Sequence, residues 1–157
     1  VDVRTAQSSG MDTGGGAGVA TITPAAGLVA PGAGIPSGSA GGLTCFYATL
    51  YGRQGVRVDD ALDVFAVHGV GGMLGSVLLS VFALPSLGGI GFGEGGGFVK
   101  QFGVQLLAIG VTAIWSALVT IGLVLAIRLL VPDRVDAEAE YEGLDIASHG
   151  ERGYEYG

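Results

Sequence analysis

Between Asp63 and Glu94 the chain carries one titratable side chain, His68, within "DDALDVFAVHGVGGMLGSVLLS" (residues 59–80). A neutral imidazole has one donor and one acceptor nitrogen and can exchange them. It can accept a hydrogen bond from a passing polar molecule. It can also relay a proton where a second group completes the chain. Residues four apart share a helix face, so Asp60, Val64, His68, Gly72 and Ser76 fall on one strip. The strip is acidic at its start and slender beyond His68, as expected of a helix lining a narrow passage. The plainer reading is a histidine satisfied by a neighbouring helix. Gly71 and Gly75, with Gly72 and Ser76 one step along, form a small-xxx-small face whose main expected role is helix packing.

Other chemistry is sparse. "GFGEGG" (residues 91–96) fits the G-x-G-x-x-G spacing, but no strand pattern precedes it and no βαβ unit with an acidic ribose ligand follows. It reads as a loop. His149 lies in a polar tail without metal-ligand neighbours and reads as solvated. Cys45 is the only cysteine, so no disulfide can form within the chain. No catalytic triad and no zinc spacing is found, an enzyme is the least expected class, and no cofactor is implied.

The elements that must carry His68 are set by composition. Of 157 residues, 49% are hydrophobic and 13% charged, whereas about a quarter is charged in soluble domains. No charged residue falls between Asp12 and Arg53, between Asp63 and Glu94, or between Lys100 and Arg128. The last stretch exceeds the roughly 20 apolar residues of a bilayer span. The expected class is all-α, a polytopic transmembrane helix bundle. Four embedded segments are expected, at about 17–30, 34–51, 60–83 and 102–131, after a flexible segment 1–16 and before a tail 132–157.

The first two segments are rich in Gly, Ala, Ser and Thr and broken by Pro24, Pro31 and Pro36. Such sequences suit helices buried in protein, where small residues let backbones approach. Taken alone, "APGAGIPSGSAGG" reads better as a flexible linker. In the third segment Asp59 or Asp60 can cap the start, with Asp63 in the first turn. A start near Asp60 puts His68 about 12 Å along the helix, close to the middle of a hydrocarbon core of about 30 Å. Ionisable residues at that depth mark ion or proton pathways. The fourth segment holds Trp115 and stops at Pro132.

The net charge of −7 is concentrated outside the apolar stretches, mostly in the acidic tail, which excludes a nucleic-acid surface. Arg4, Arg53, Arg57, Arg128 and Arg134 place the N-terminus, the second-to-third loop and the tail in the cytoplasm. The N-terminus lacks the apolar core of a signal peptide. The first residue, Val1, is not methionine, so an incomplete chain is expected.

Several segments together resemble the ammonium transporters of the Amt/Mep/Rh superfamily. "DDALDVFAVHGVGGMLGS" is similar to a late helix of that family, "TITPAAGLV" to a threonine-proline segment two helices earlier, "IWSALVT" to the final helix, and "EGLDIASHGERGY" to the cytosolic tail. The resemblance implies a homotrimer in the plasma membrane, with one pore per subunit built from inverted repeats. Ammonium would be recruited outside and deprotonated, and ammonia would cross between paired histidines. His68 matches the second of these. Val64, Asp60, Asp63 and Thr23 join it as pore or proton-pathway residues. Glu142, Gly143, Leu144, Asp145, His149, Gly150 and Glu151 match the tail segment through which PII-type signalling proteins act. The match covers about the last four of the family's eleven helices. Two alternatives stay open: an ammonium sensor or regulatory subunit docking a PII-type protein, and a non-functional partial chain.

Overall fold

The computed structural model describes residues 8–52, 55, 60, 62–132 and 134–151, with side chains from Gly14 onward. Helices and the turns between them make up the described residues, with no strand among them. The chain divides into two units, residues 1–111 and 112–157.

Helix α1 runs Ser8–Ile22. It starts upstream of the expected 17 and takes in part of the segment expected to be flexible. It ends where it does because Pro24 cannot extend the helical ladder and instead heads a 3₁₀ turn, Thr23–Ala25. Gly27, at φ +78°, redirects the backbone. A second 3₁₀ turn, Pro31–Ala33, leads into α2, Gly34–Tyr51. Pro36 sits in the first turn of α2, where its missing N–H has no helical partner to lose. The linker reading of "APGAGIPSGSAGG" is therefore overturned from Gly34 onward.

Helix α3 runs Phe65–Phe82. Phe65–Val70 is π-helical and Gly71–Phe82 is α-helical. The Asp60 carboxylate caps its start, accepting the N–H groups of Val64 at 2.9 Å and Phe65 at 2.8 Å. The helix begins later than the expected Asp60 because Asp63 has φ +54°, which no right-handed helix accommodates.

The three helices are held by small residues. A Cβ on Gly18 would meet Gly38 Cα at 3.5 Å, and one on Gly42 would meet the Gly14 carbonyl oxygen at 3.7 Å. These pairings make α1 and α2 antiparallel. A Cβ on Gly71 would lie 3.7 Å from the Ala17 carbonyl oxygen, and one on Gly75 would collide with that of Thr21. Helices α1 and α3 therefore run side by side in one direction. Ala17, Cys45 and Val67 form one buried cluster. Ala25, Leu79 and Ala83 form another, joined by Ile22, Leu28, Val29 and Phe92. Such side chains bury little apolar area. Cohesion comes from close backbone approach, the mode that works in a bilayer, where lipid is as apolar as leucine.

After α3 the chain makes a 3₁₀ turn, Pro85–Leu87. The Ile90 N–H then bonds to the Leu28 carbonyl at 3.2 Å and the Gly91 N–H to that of Ala83 at 2.8 Å. "GFGEGG" belongs to this loop. Helix α4 runs Phe98–Arg128, about a turn earlier at each end than expected, and none of its residues is buried. At 1.5 Å per residue it is about 46 Å long. Among the described residues, α3 and α4 are long and apolar enough to cross a membrane, with mean hydropathies of 1.7 and 2.2.

In the second unit, Arg134 pairs with Glu140 at 3.1 Å, both well exposed. A short helix, α5, runs Ala137–Glu142 and a π-helical turn covers Asp145–His149.

Candidate functional site

Three helices converge on Thr21. Its hydroxyl donates to the Ala17 carbonyl at 2.8 Å, the back-bond by which a helical threonine hides its polar atom. Thr21 is 1% exposed and Cys45 0%. A Cβ on Gly41 would collide with Thr21 Oγ1 and sit 2.6 Å from Thr21 Cβ. One on Gly71 would lie 3.2 Å from both Thr21 Oγ1 and Cys45 Sγ. The Cys45 thiol donates across to the Val67 carbonyl, S···O 3.9 Å. Gly71 and Gly75 are both buried at this junction.

Val67 precedes His68, and the two side chains point to different surroundings. The buried stripe of α3 is Val67, Gly71, Gly75 and Leu79. The strip predicted from sequence is one residue later, about 100° around the helix. On it Val64 and His68 are exposed, while Asp60, Gly72 and Ser76 are half-buried. Ser76 donates to the Gly72 carbonyl at 3.0 Å, which leaves that part of the strip slender. The His68 ring is exposed, so no helix of the first unit covers it. It also lies in the first turn of α3, about 5 Å from the start, and not the expected 12 Å. The late start forced by Asp63 accounts for the difference.

The remaining predicted residues fall into separate groups. Asp63 is 8% exposed and sits on the packed side, its carbonyl accepting the Val67 N–H at 2.8 Å. Thr23 is exposed and donates to the Val19 carbonyl at 2.7 Å. Since Thr21 lies level with Gly75, Thr23 is more than about 10 Å beyond His68 along the shared helix direction. The structure does not bring the two together. In the tail, Glu142 closes α5, and Gly143 (φ +100°) and Gly150 (φ +66°) bracket the turn that carries Leu144, Asp145 and His149. The Glu151 N–H returns to the Asp145 carbonyl at 3.1 Å. No group of three His, Cys, Asp or Glu side chains placed to hold a metal occurs among the described residues.

Sequence reasoning missed Thr21 and Cys45. Little marks them in the sequence: Thr21 stands between Val19 and Ile22, and Cys45 among Leu43, Thr44, Phe46 and Tyr47.

Residues 3–154 match the model of the Ammonium Transporter Family. An ammonium transporter of Bacillus subtilis is 37% identical over 147 residues, covering 93% of this chain and 36% of that protein. Ammonium transporter Amt1 of Archaeoglobus fulgidus is 37% identical over 150 residues, covering 94% of this chain and 37% of that protein. The chain thus spans little more than a third of these relatives' length. A solved structure named Sensor Amt Protein superposes with a TM-score of 0.82 at 27% identity, over 94% of this chain and 36% of that one. Similarity of this extent, carried on the same helical frame, makes the chain a member of the ammonium transporter family, a family of membrane proteins.

Proposed function

We propose that the chain is the C-terminal portion of an ammonium transporter and that His68 lines the path of ammonia or ammonium. The observation that carries this reading is the position of the ring. It stands exposed on an apolar helix, one residue out of step with a tightly packed seam, with Gly72 and Ser76 as small neighbours on its strip. An imidazole has no packing role there. In a protein about three times as long, further family helices would meet that face and complete a narrow passage. Val64 would line the passage and Asp60 would stand at its acidic end; Asp63, on the packed side, and Thr23, well beyond His68, fall outside it. The same reading gives a homotrimer in the plasma membrane, with the tail in the cytoplasm. The test is uptake of labelled methylammonium by proteoliposomes holding the full-length gene product. His68→Ala should lower uptake by about a hundred-fold, the low end for losing a proton-transferring side chain. Unchanged uptake at equal protein content would refute it.

The similarity to a protein named as a sensor favours a second reading, a membrane ammonium sensor. The tail, with its helical turn at Asp145–His149, would then present Glu142, Gly143, Leu144, Gly150 and Glu151 to a PII-type protein. Titrating such a protein against the reconstituted product at varied nucleotide levels separates the readings. A sensor binds without His68-dependent uptake.

A further inference from the structure

We propose that Cys45 is a positioning residue for His68, acting through the Val67 carbonyl of the π-helical turn; its functional meaning rests on the pore reading of His68. A π-helical turn is rare, uses i→i+5 hydrogen bonds, and occurs mostly as single turns inside α-helices. The segment Phe65–Val70 is anchored at three places. At its head the Asp60 carboxylate takes the Val64 and Phe65 N–H groups. In its middle the Cys45 thiol reaches the Val67 carbonyl. At its foot Cys45 Sγ and Thr21 Oγ1 press on Gly71, where a Cβ would find each at 3.2 Å. Cys45 supplies two of these contacts from another helix and is wholly buried.

The turn decides where the imidazole points. Taking Gly71–Phe82 as the fixed frame, tightening the π turn to an α turn rotates residues upstream by up to one residue's worth, about 100°. His68 lies within the segment and would swing by part of that. Thr21, Ser37 and Ser80 are also buried and carry donors. Thr21 spends its hydroxyl within its own helix, on the Ala17 carbonyl, whereas the Cys45 thiol reaches across to another helix and meets the carbonyl next to the histidine.

The experiment is carbethoxylation of the full-length gene product in detergent with diethylpyrocarbonate, followed peptide by peptide by mass spectrometry. His149, in the tail, serves as the internal control. Cys45→Ala should change the rate of His68 modification by at least about three-fold, since reactive side chains must be held within about 10–20° to keep their geometry. Cys45→Ser, which keeps a donor, should restore the rate, and His149 should react alike in all variants. Should Cys45→Ala fail to fold, Cys45→Val fills the space without a donor and is read in the same way. A smaller change at His68, one that Cys45→Ser does not restore, or one shared by His149 overturns the proposal. Methylammonium uptake measured in parallel keeps the two ideas apart. His68-dependent uptake with unaltered labelling defeats the role of Cys45 alone. Altered labelling without any uptake in the unmodified protein defeats the transport reading alone.

Discussion

Gly75 is the tightest test of how the helices are held. A Cβ built there would collide with the Thr21 carbonyl oxygen and sit 2.9 Å from its carbon and 3.2 Å from Pro24 Cδ. Carbon atoms in contact prefer about 3.5–4.0 Å, so Gly75→Ala forces α1 and α3 apart by at least about 0.6 Å. The obstacle is backbone and proline ring, and neither can swing aside. Overpacking of this kind costs about 1–3 kcal/mol, and the displacement opens the Ala25–Leu79–Ala83 cluster beyond it. With about 2–4 °C per kcal/mol for a chain of this size, the melting temperature should fall by about 2–12 °C. The assay is thermal unfolding of the purified protein in detergent, read by loss of the monodisperse peak in size exclusion. Gly72→Ala is the matched control, because a Cβ there meets nothing within 4 Å. It should be neutral or stabilising by about 0.5–1 kcal/mol from helix propensity. If Gly75→Ala melts no lower than Gly72→Ala, the close α1–α3 approach is wrong, and with it the burial of Thr21.

Three further outcomes follow from the same geometry. Gly41→Ala should also destabilise, by about 1–3 kcal/mol, but its obstacle is the Thr21 side chain; thermal unfolding of Gly41→Ala with Thr21→Gly should show recovery, whereas Gly75→Ala with Thr21→Gly should not recover. Asp60→Ala removes the acceptor of two helix-start N–H groups and should cost about 1 kcal/mol, with Asp60→Asn losing less, measured by the same melts. Glu140→Gln breaks an ion pair whose side chains are 66% and 55% exposed, so stability should change by less than about 0.5 kcal/mol.

Long-range order was legible where the residue pattern is strong. The α2 bounds follow from Pro31 and Tyr51, and α4 is set by an uncharged stretch that nothing interrupts. The start of α1 was not legible, because "SSGMDTGGGAG" has the composition of a loop; it is helical, with its Gly14 carbonyl lying against Gly42 of α2. The start of α3 was misplaced for a local reason. "DDALD" offers three carboxylates to a helix dipole, and no sequence rule says which one caps and which one breaks. Asp60 caps and Asp63 takes the left-handed conformation. The His68 strip was visible in the four-residue spacing, but its relation to the packed face was not. That relation depends on which neighbour lies against α3, and the neighbour is Thr21, a residue with no conspicuous chemistry.

One residue of phase therefore separates two tasks on α3. Val67, Gly71, Gly75 and Leu79 hold the helix to α1 and α2, while the strip of Val64, His68, Gly72 and Ser76 lies about 100° around, with its first two residues exposed. A slip of one position would put the imidazole where Val67 packs, against Ala17 and Cys45, and turn the seam of Gly71 and Gly75 away from Thr21. It would leave a desolvated polar ring there, at a cost of roughly 1–3 kcal/mol without a partner, and would forfeit the backbone contacts that replace apolar burial here. The abundance of glycine is thus no sign of looseness. At Gly41 and Gly75 an added methyl group has no room, and at Gly71 it would be crowded by Cys45 Sγ and Thr21 Oγ1, so these positions resist a wrong register as a large side chain would in an ordinary core. Phase is set near the N-terminal end of the helix, where Asp60, Cys45 and Thr21 grip the π-helical turn and its end, within four residues of the ring whose direction depends on it.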